Sequence, residues 1–242
     1  MSKGLFITIE GTDGSGKGTQ TELLVARLKQ KNYPVEVINF PRYGERSCTM
    51  VEDYLNGKLG TAEEVGPYPA SVFFAIDRYA AAPQIRQWLA EGKIVIANRY
   101  VGSNMAHNGG KIADEQEREK FFAWIDELEY TIFHIPRPDY SLILHVSPEI
   151  SQRLVDQKTA VGREYLQGKK RDIHEDDINH LRQAEASYLH LAKKFPSYQV
   201  IECAPDEKLL SIEATHCLIW SALESKLLPF IQIIQKIINI CL

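Results

Sequence analysis

Apolar residues along the chain fall into short runs separated by longer amphipathic stretches. Residues 5–9 form a β-favouring run that stops at a glycine-rich loop. Residues 19–31 place Leu23, Leu24, Ala26 and Leu28 on one face, which predicts a helix. Residues 35–40 predict a second strand, stopped by Pro41. Helices are predicted over 48–55 and 68–90, the second bent or started late because of Pro69 and Pro83. Residues 94–97 are apolar without alternation, as in a strand buried on both faces. Further helices are predicted over 116–128, 149–156, 177–194 and 208–223, with strands over 142–146 and 198–202. Strands alternating with helices predict a parallel α/β fold. With no internal repeat, low-complexity segment or linker, a single domain is expected.

The loop after the first run reads Gly11, Thr12, Asp13, Gly14, Ser15, Gly16, Lys17, Gly18, Thr19. It matches the phosphate-binding pattern, two glycines five apart followed by lysine, up to its last position. The glycines let backbone N–H groups turn toward phosphate oxygens. The helix N-terminus adds a partial positive charge and Lys17 a full one. Where a Ser or Thr hydroxyl usually serves Mg²⁺, this chain has Gly18. Water can complete such a shell, because Mg²⁺ keeps several waters.

Three other segments carry arginine at or near strand ends, where open α/β sheets bind ligands. They are Phe40-Pro41-Arg42-Tyr43-Gly44, Phe73-Phe74-Ala75-Ile76-Asp77-Arg78-Tyr79, and the stretch from Asn98-Arg99-Tyr100 through Asn104 to His107. Guanidinium forks suit phosphate and aromatic rings suit a base, so these segments describe a second nucleotide site.

In their order and spacing these segments resemble the thymidylate kinase family, from about Lys3 to Leu223. The resemblance implies a three-layer P-loop NTPase-type fold with a five-stranded parallel sheet and a mobile lid. It implies transfer of a phosphoryl group from ATP, with Mg²⁺, to dTMP. Arg42 and Arg99 then hold the acceptor phosphate, with Tyr43 and Tyr100 nearby. Phe74 stacks on the base, Arg78 donates to a base carbonyl, and Asn104 faces the base. His107 stands where many members have Tyr against the sugar. Asp13 is the expected metal ligand. Asn98 replaces the family's usual Asp, so metal positioning leans on Asp13, water and the phosphates. Two other readings stay open: a kinase for another nucleoside monophosphate, and a nucleotide-dependent switch without catalysis.

Residues 153–171 are strongly cationic and contain Gly162 and Gly168. The resemblance makes this stretch the lid over the ATP phosphates, with Arg153 and Arg163 as the phosphate contacts. Phosphoryl transfer needs positioning and charge neutralisation more than covalent help. The whole chain of 242 residues has a formal net charge of −4, which argues against diffuse binding to nucleic acid or an anionic membrane. The acid-rich stretch 116–129 is expected to be a solvated helix far from the phosphates. Cys48, Cys203, Cys217 and Cys241 show no metal-site spacing and read as small apolar residues in a reducing compartment, consistent with the cytoplasm. No secretory leader and no spanning helix are expected. The kinase domain is expected over 1–226. The apolar end, 227–242, is expected to self-pack or to contribute a dimer contact, a homodimer being typical of the family.

Overall fold

The computed structural model describes residues 4–157 and 178–241, the stretch 228–241 by its backbone course alone. The strands are β1 (Leu5–Glu10), β2 (Val35–Asn39), β3 (Ile94–Asn98), β4 (Tyr140–His145) and β5 (Tyr198–Glu202). They form a parallel sheet of order β2-β3-β1-β4-β5. Central β1 is buried along its whole length, which explains its unbroken apolar run. Its side chains alternate between two cores. Leu5, Ile7 and Ile9 join Leu24, Leu28, Ile219 and Leu223 on one face. Phe6 joins Tyr100, Met105, Phe121, Phe122 and Leu191 on the other. Each such side chain contributes about 1.5–3 kcal/mol by leaving water, and the result is helix, sheet and helix in three layers.

Helices α1 (Lys17–Gln30), α2 (Thr49–Leu55), α3 (Ala62–Val65), α4 (Pro67–Ala90), α5 (Val101–Gly109) and α6 (Glu115–Asp126) precede β4. Helices α7 (Pro148–Asp156), α8 (Ile178–Lys194) and α9 (Ile212–Cys241) follow it. Helix α4 does not start late: Pro67 occupies its first turn, where no intrahelical N–H is required, and Pro83 lies inside it.

Helix α5 is not evident from the sequence, where Gly102, Ser103, Asn104, Asn108 and Gly109 are poor helix formers. Packing overrides that preference. A Cβ at Gly102 would lie 2.7 Å from the Tyr198 ring and 2.9 Å from a Glu10 carboxylate oxygen, and one at Gly109 would lie 2.6 Å from Phe122. Only glycine lets this helix sit so close to its neighbours.

Helix α9 runs without a break through residue 227, where a separate end was expected. Ile219, Trp220, Leu223 and Leu227 keep one apolar face on the core, so its periodicity carries the helix onward. Among the described residues no helix is long and apolar enough to cross a membrane. The acidic stretch after α6 also departs from expectation. Residues Glu127–Ile132 form a π-helical turn. The wider turn rotates Glu129 inward, and its carboxylate is fully buried rather than solvated.

Candidate active site

The loop between β1 and α1 sits at the carboxyl end of the central strand. Gly11, Gly14 and Gly16 all have positive φ. At Gly14 the reason is close approach as well as turn: a Cβ would lie 2.3 Å from the Ser151 carbonyl oxygen. The Ser151 hydroxyl donates to the Asp13 carbonyl and lies 3.2 Å from Thr12 Oγ1, so α7 holds the loop from outside. Lys17 is buried and donates from Nζ to the Thr12 carbonyl at 2.7 Å. Gly16 and Gly18 face open space, and α1 begins without a side-chain cap. Its first N–H groups therefore suit an anion. Thr19 lies on the exposed side of α1.

A cleft of about 700 Å³ adjoins this loop. Asp13, Tyr43, Phe74, Arg78, Arg99 and Tyr100 line it, together with Asn104 and His107. Phe74 is half-buried, with Tyr54 edge-on at 6.3 Å, so its ring contributes to the wall rather than to the deep core. Tyr100 is mainly an anchor: it is buried against Phe6 and Phe40, and its hydroxyl donates to the Pro136 carbonyl.

Arg99 joins loop and cleft. It follows β3 and has φ of 65°, a left-handed conformation unfavourable for a residue with a Cβ. Its Nη2 donates to Asp13 Oδ1 at 2.6 Å. Its Nη1 lies 3.1 Å from both the Gly11 carbonyl and Ser103 Oγ, and 3.2 Å from His107 Nε2. Burial opposes the Arg99 charge, but Asp13 outweighs it and raises the pKa above the ordinary value.

A guanidinium only donates, so His107 Nε2 accepts and Nδ1 carries the proton. That N–H donates to His180 Nε2 at 3.2 Å, and the two rings stack. Burial first, and then Arg99, keep the His107 pKa well below the usual histidine value. His107 is thus a neutral strut with both ring nitrogens engaged, not a loose contact for a sugar.

Arg42 does not line the cleft. Its Nε donates to Asp77 Oδ1 at 3.0 Å, and Nη2 donates to Ser47 Oγ and to the Asp77 carbonyl. Asp77 also accepts from the Arg42 backbone N–H. The aspartate of the Asp77-Arg78 pair therefore clamps the arginine after β2. Arg78 itself is buried and paired through Nε and Nη2 with both oxygens of Glu129.

Arg153 is exposed near the end of α7. Arg163, and with it most of the cationic stretch 153–171, lies outside the described residues. Asn98 donates to Asn39 Oδ1 across the strand ends.

Glu10, Asp77, Ser103 and Glu129 are the site residues missed in the sequence. Glu10 had a visible signal, an acid ending an otherwise apolar strand. It is fully buried and accepts from Ser103 Oγ at 2.6 Å, and among the described residues its Oε1 has no hydrogen-bond partner. Burial raises its pKa. Glu129 had no local signal, because its role depends on the π turn.

Among the described residues the hard oxygen donor of the phosphate loop is Asp13, whose Oδ1 also accepts from Arg99. With open space at Gly18, it fits a Mg²⁺ held largely through water.

Sheet order, phosphate loop and adjoining acceptor cleft define a P-loop phosphotransferase. A family model described as thymidylate kinase matches residues 9–213. Thymidylate kinase from Mycobacterium tuberculosis (strain CDC 1551 / Oshkosh) is 30% identical over 189 residues, 78% of this chain and 86% of that relative. The Bifidobacterium longum (strain NCC 2705) thymidylate kinase is 29% identical over 225 residues, covering 92% and 96%. A solved structure of thymidylate kinase from Candida albicans superposes with a TM-score of 0.70 at 22% identity, over 93% of each chain. The chain belongs to the thymidylate kinase family.

Proposed function

We propose that the protein transfers the γ-phosphoryl group of ATP to the 5′-phosphate of dTMP. The observation that carries this reading is the position of Arg99, which lines the acceptor cleft while its guanidinium contacts Gly11 and Asp13 of the phosphate loop. An acceptor phosphate on Arg99 lies next to a donor phosphate on Lys17. Proximity of this kind removes much of the entropic barrier.

ATP phosphates occupy the loop over Gly11–Thr19 in this reading, with backbone N–H groups and Lys17 neutralising charge. The dTMP phosphate is held by Arg99, while Arg42, clamped by Asp77 outside the cleft lining, adds positive charge between the cleft-lining Pro41 and Tyr43. The base lies against Phe74, its polar edge at Arg78 and Asn104. The acceptor is an ionised phosphate oxygen near pH 7, so no strong general base is required. Asp13, with water, would hold Mg²⁺, and the metal would supply charge neutralisation to the donor. Arg153 and Arg163 belong to the lid that excludes water from the closed site. The kinase domain covers 1–226, and 227–242 is an apolar tail whose residues 227–241 continue α9. Family resemblance supports extending the reading to a homodimer acting in the cytoplasm.

The test is ADP release measured with each nucleoside monophosphate in turn. Turnover of dTMP well above that of purine nucleotides is expected. Failure of both dTMP and dUMP while ATP binds normally would overturn the proposal.

A further inference from the structure

The floor of the acceptor cleft contains a chain of polar groups whose directions are all determined. Glu129 Oε2 accepts from Arg78 Nε at 2.5 Å. Its Oε1 accepts from Arg78 Nη2 at 2.7 Å and from Asn104 Nδ2 at 3.0 Å. One carboxylate therefore holds both side chains that face the base. The second hydrogen on Asn104 Nδ2 goes to the Ser71 carbonyl at 3.2 Å. Asn104 Oδ1 accepts from Asn108 Nδ2 at 2.9 Å, and Asn108 Oδ1 accepts from Lys111 Nζ at 2.8 Å.

The amide orientations follow from the Glu129 end of the chain. The Glu129 carboxylate, both of whose oxygens accept from Arg78, and the Ser71 carbonyl face the NH₂ end of Asn104. That leaves Asn104 Oδ1 to accept from Asn108 Nδ2, and the oxygen of Asn108 then faces Lys111 Nζ. Neither amide can turn over without placing oxygen against oxygen or N–H against N–H. In the buried floor such a mismatch strands polar groups.

The remaining capacity is then specific. Asn104 has spent both N–H groups and retains an acceptor lone pair on Oδ1. Arg78 has spent Nε and uses Nη2 on Glu129, and Nη1 bonds to no protein atom among the described residues. Both residues line the cleft, so its floor offers the Asn104 acceptor together with the remaining Arg78 N–H donors.

We infer that Glu129 is the positioning residue that sets this polarity, matching the cleft to a pyrimidine with an N3–H donor beside a 4-oxo acceptor and against a 4-amino pyrimidine. A cytosine edge presents an acceptor at N3 and donors at the 4-amino group, so both contacts would be mispaired. Uracil and thymine present the same edge, so this device does not read the 5-methyl group. The inference rests on the dTMP reading of the site, because it requires the base to meet Arg78 and Asn104.

The experiment compares kcat/KM for dTMP and dCMP in the full-length protein and in Glu129→Gln. A glutamine can turn a donor toward Asn104 and removes the charge that aims Arg78. The ratio of the two kcat/KM values is independent of how much protein is folded, so a role in stability alone leaves it unchanged. A fall of more than about fivefold in the dTMP:dCMP ratio is expected, since misaligned polar groups are what reject the wrong edge. A smaller change overturns the inference. Should Glu129→Gln yield no folded protein, Glu129→Asp keeps the charge for Arg78 while withdrawing the carboxylate from Asn104. The same criterion then applies to it. A wild-type protein that does not phosphorylate dTMP at all removes the functional reading itself. A wild type that prefers dTMP, with variants that keep the preference, removes only the role of Glu129.

Discussion

Arg99 Nη2 and Asp13 Oδ1 stand 2.6 Å apart, one from the turn after β3 and the other from the phosphate loop. This pair ties the acceptor side of the site to the donor side through a single charge-assisted bond. Replacing Arg99 by Ala should lower kcat/KM for dTMP by about 10²–10³-fold, the scale of losing one positioned donor in a transition state. Arg99→Lys should recover only a minor part, because an ammonium lacks the fork that spans Asp13, Gly11 and a phosphate. Steady-state kinetics of both variants checks this; full activity in Arg99→Lys would show that charge alone suffices.

Phe74 gives a prediction confined to one substrate. This residue is half-buried in the cleft wall, where it contacts Tyr54 rather than any residue of the phosphate loop among the ring contacts described. Phe74→Ala should raise KM for dTMP by roughly tenfold, equivalent to the loss of one aromatic contact. KM for ATP should stay within about twofold. Equal increases in both would instead mark the ring as part of the core.

Two glycines in the loop should respond differently to the same change. Gly14→Ala meets both a φ of 86° and the Ser151 carbonyl, and should cost about 2–4 kcal/mol in stability. Gly16→Ala meets a φ of 84° but open space, and should cost only about 1–2 kcal/mol. Urea denaturation of the two variants tests the contrast, which disappears if α7 does not press on the loop.

His145 predicts a pH dependence of stability. It lies between Glu185 at 2.8 Å and Glu202 at 2.6 Å, and these bonds raise its pKa to about 9. A group with a folded pKa above its unfolded value stabilises fully below the unfolded value, near 6.5. That contribution is lost as pH rises from about 6.5 through 9. Because Glu202 is partly exposed, the effect should be on the order of 1–2 kcal/mol. The wild type should lose more stability between pH 6 and pH 9.5 than His145→Gln. Parallel pH profiles for the two proteins would refute it.

The strands were legible because the central ones are short apolar runs, as at residues 5–9 before Gly11, and the edge strands β2 and β5 are short β-branched stretches with polar residues between. The phosphate loop was legible for a related reason: its chemistry is local, nine consecutive residues running from the end of a strand into the first turn of a helix. Arg99, Phe74 and Asn104 were recognisable through the resemblance they carry. Helix α5 was hidden because its glycines record contacts with Tyr198, Glu10 and Phe122, which are distant in sequence. Glu129 was hidden for a deeper reason. In sequence it belongs to an acidic, solvent-like stretch, and only the wider turn after α6 brings it beneath Arg78. Asp77 looked like a neighbour of Arg78, whereas its partner is Arg42, reached across the gap between α4 and β2.

Strands β1 and β3 pair with Ile9 opposite Asn98. The residues that follow, Glu10 and Gly11 on one side and Arg99 on the other, are therefore level with each other before any side chain is placed. A slip of one residue in that pairing would carry Arg99 about 3.3 Å along the strand. That is as long as the hydrogen bonds holding Asp13, Gly11 and Ser103 to it. The spacing between the phosphate loop and Arg99 is thus set by backbone pairing in the middle of the sheet. Loops around the cleft can vary in length and composition, but the offset between loop and arginine is fixed in the core.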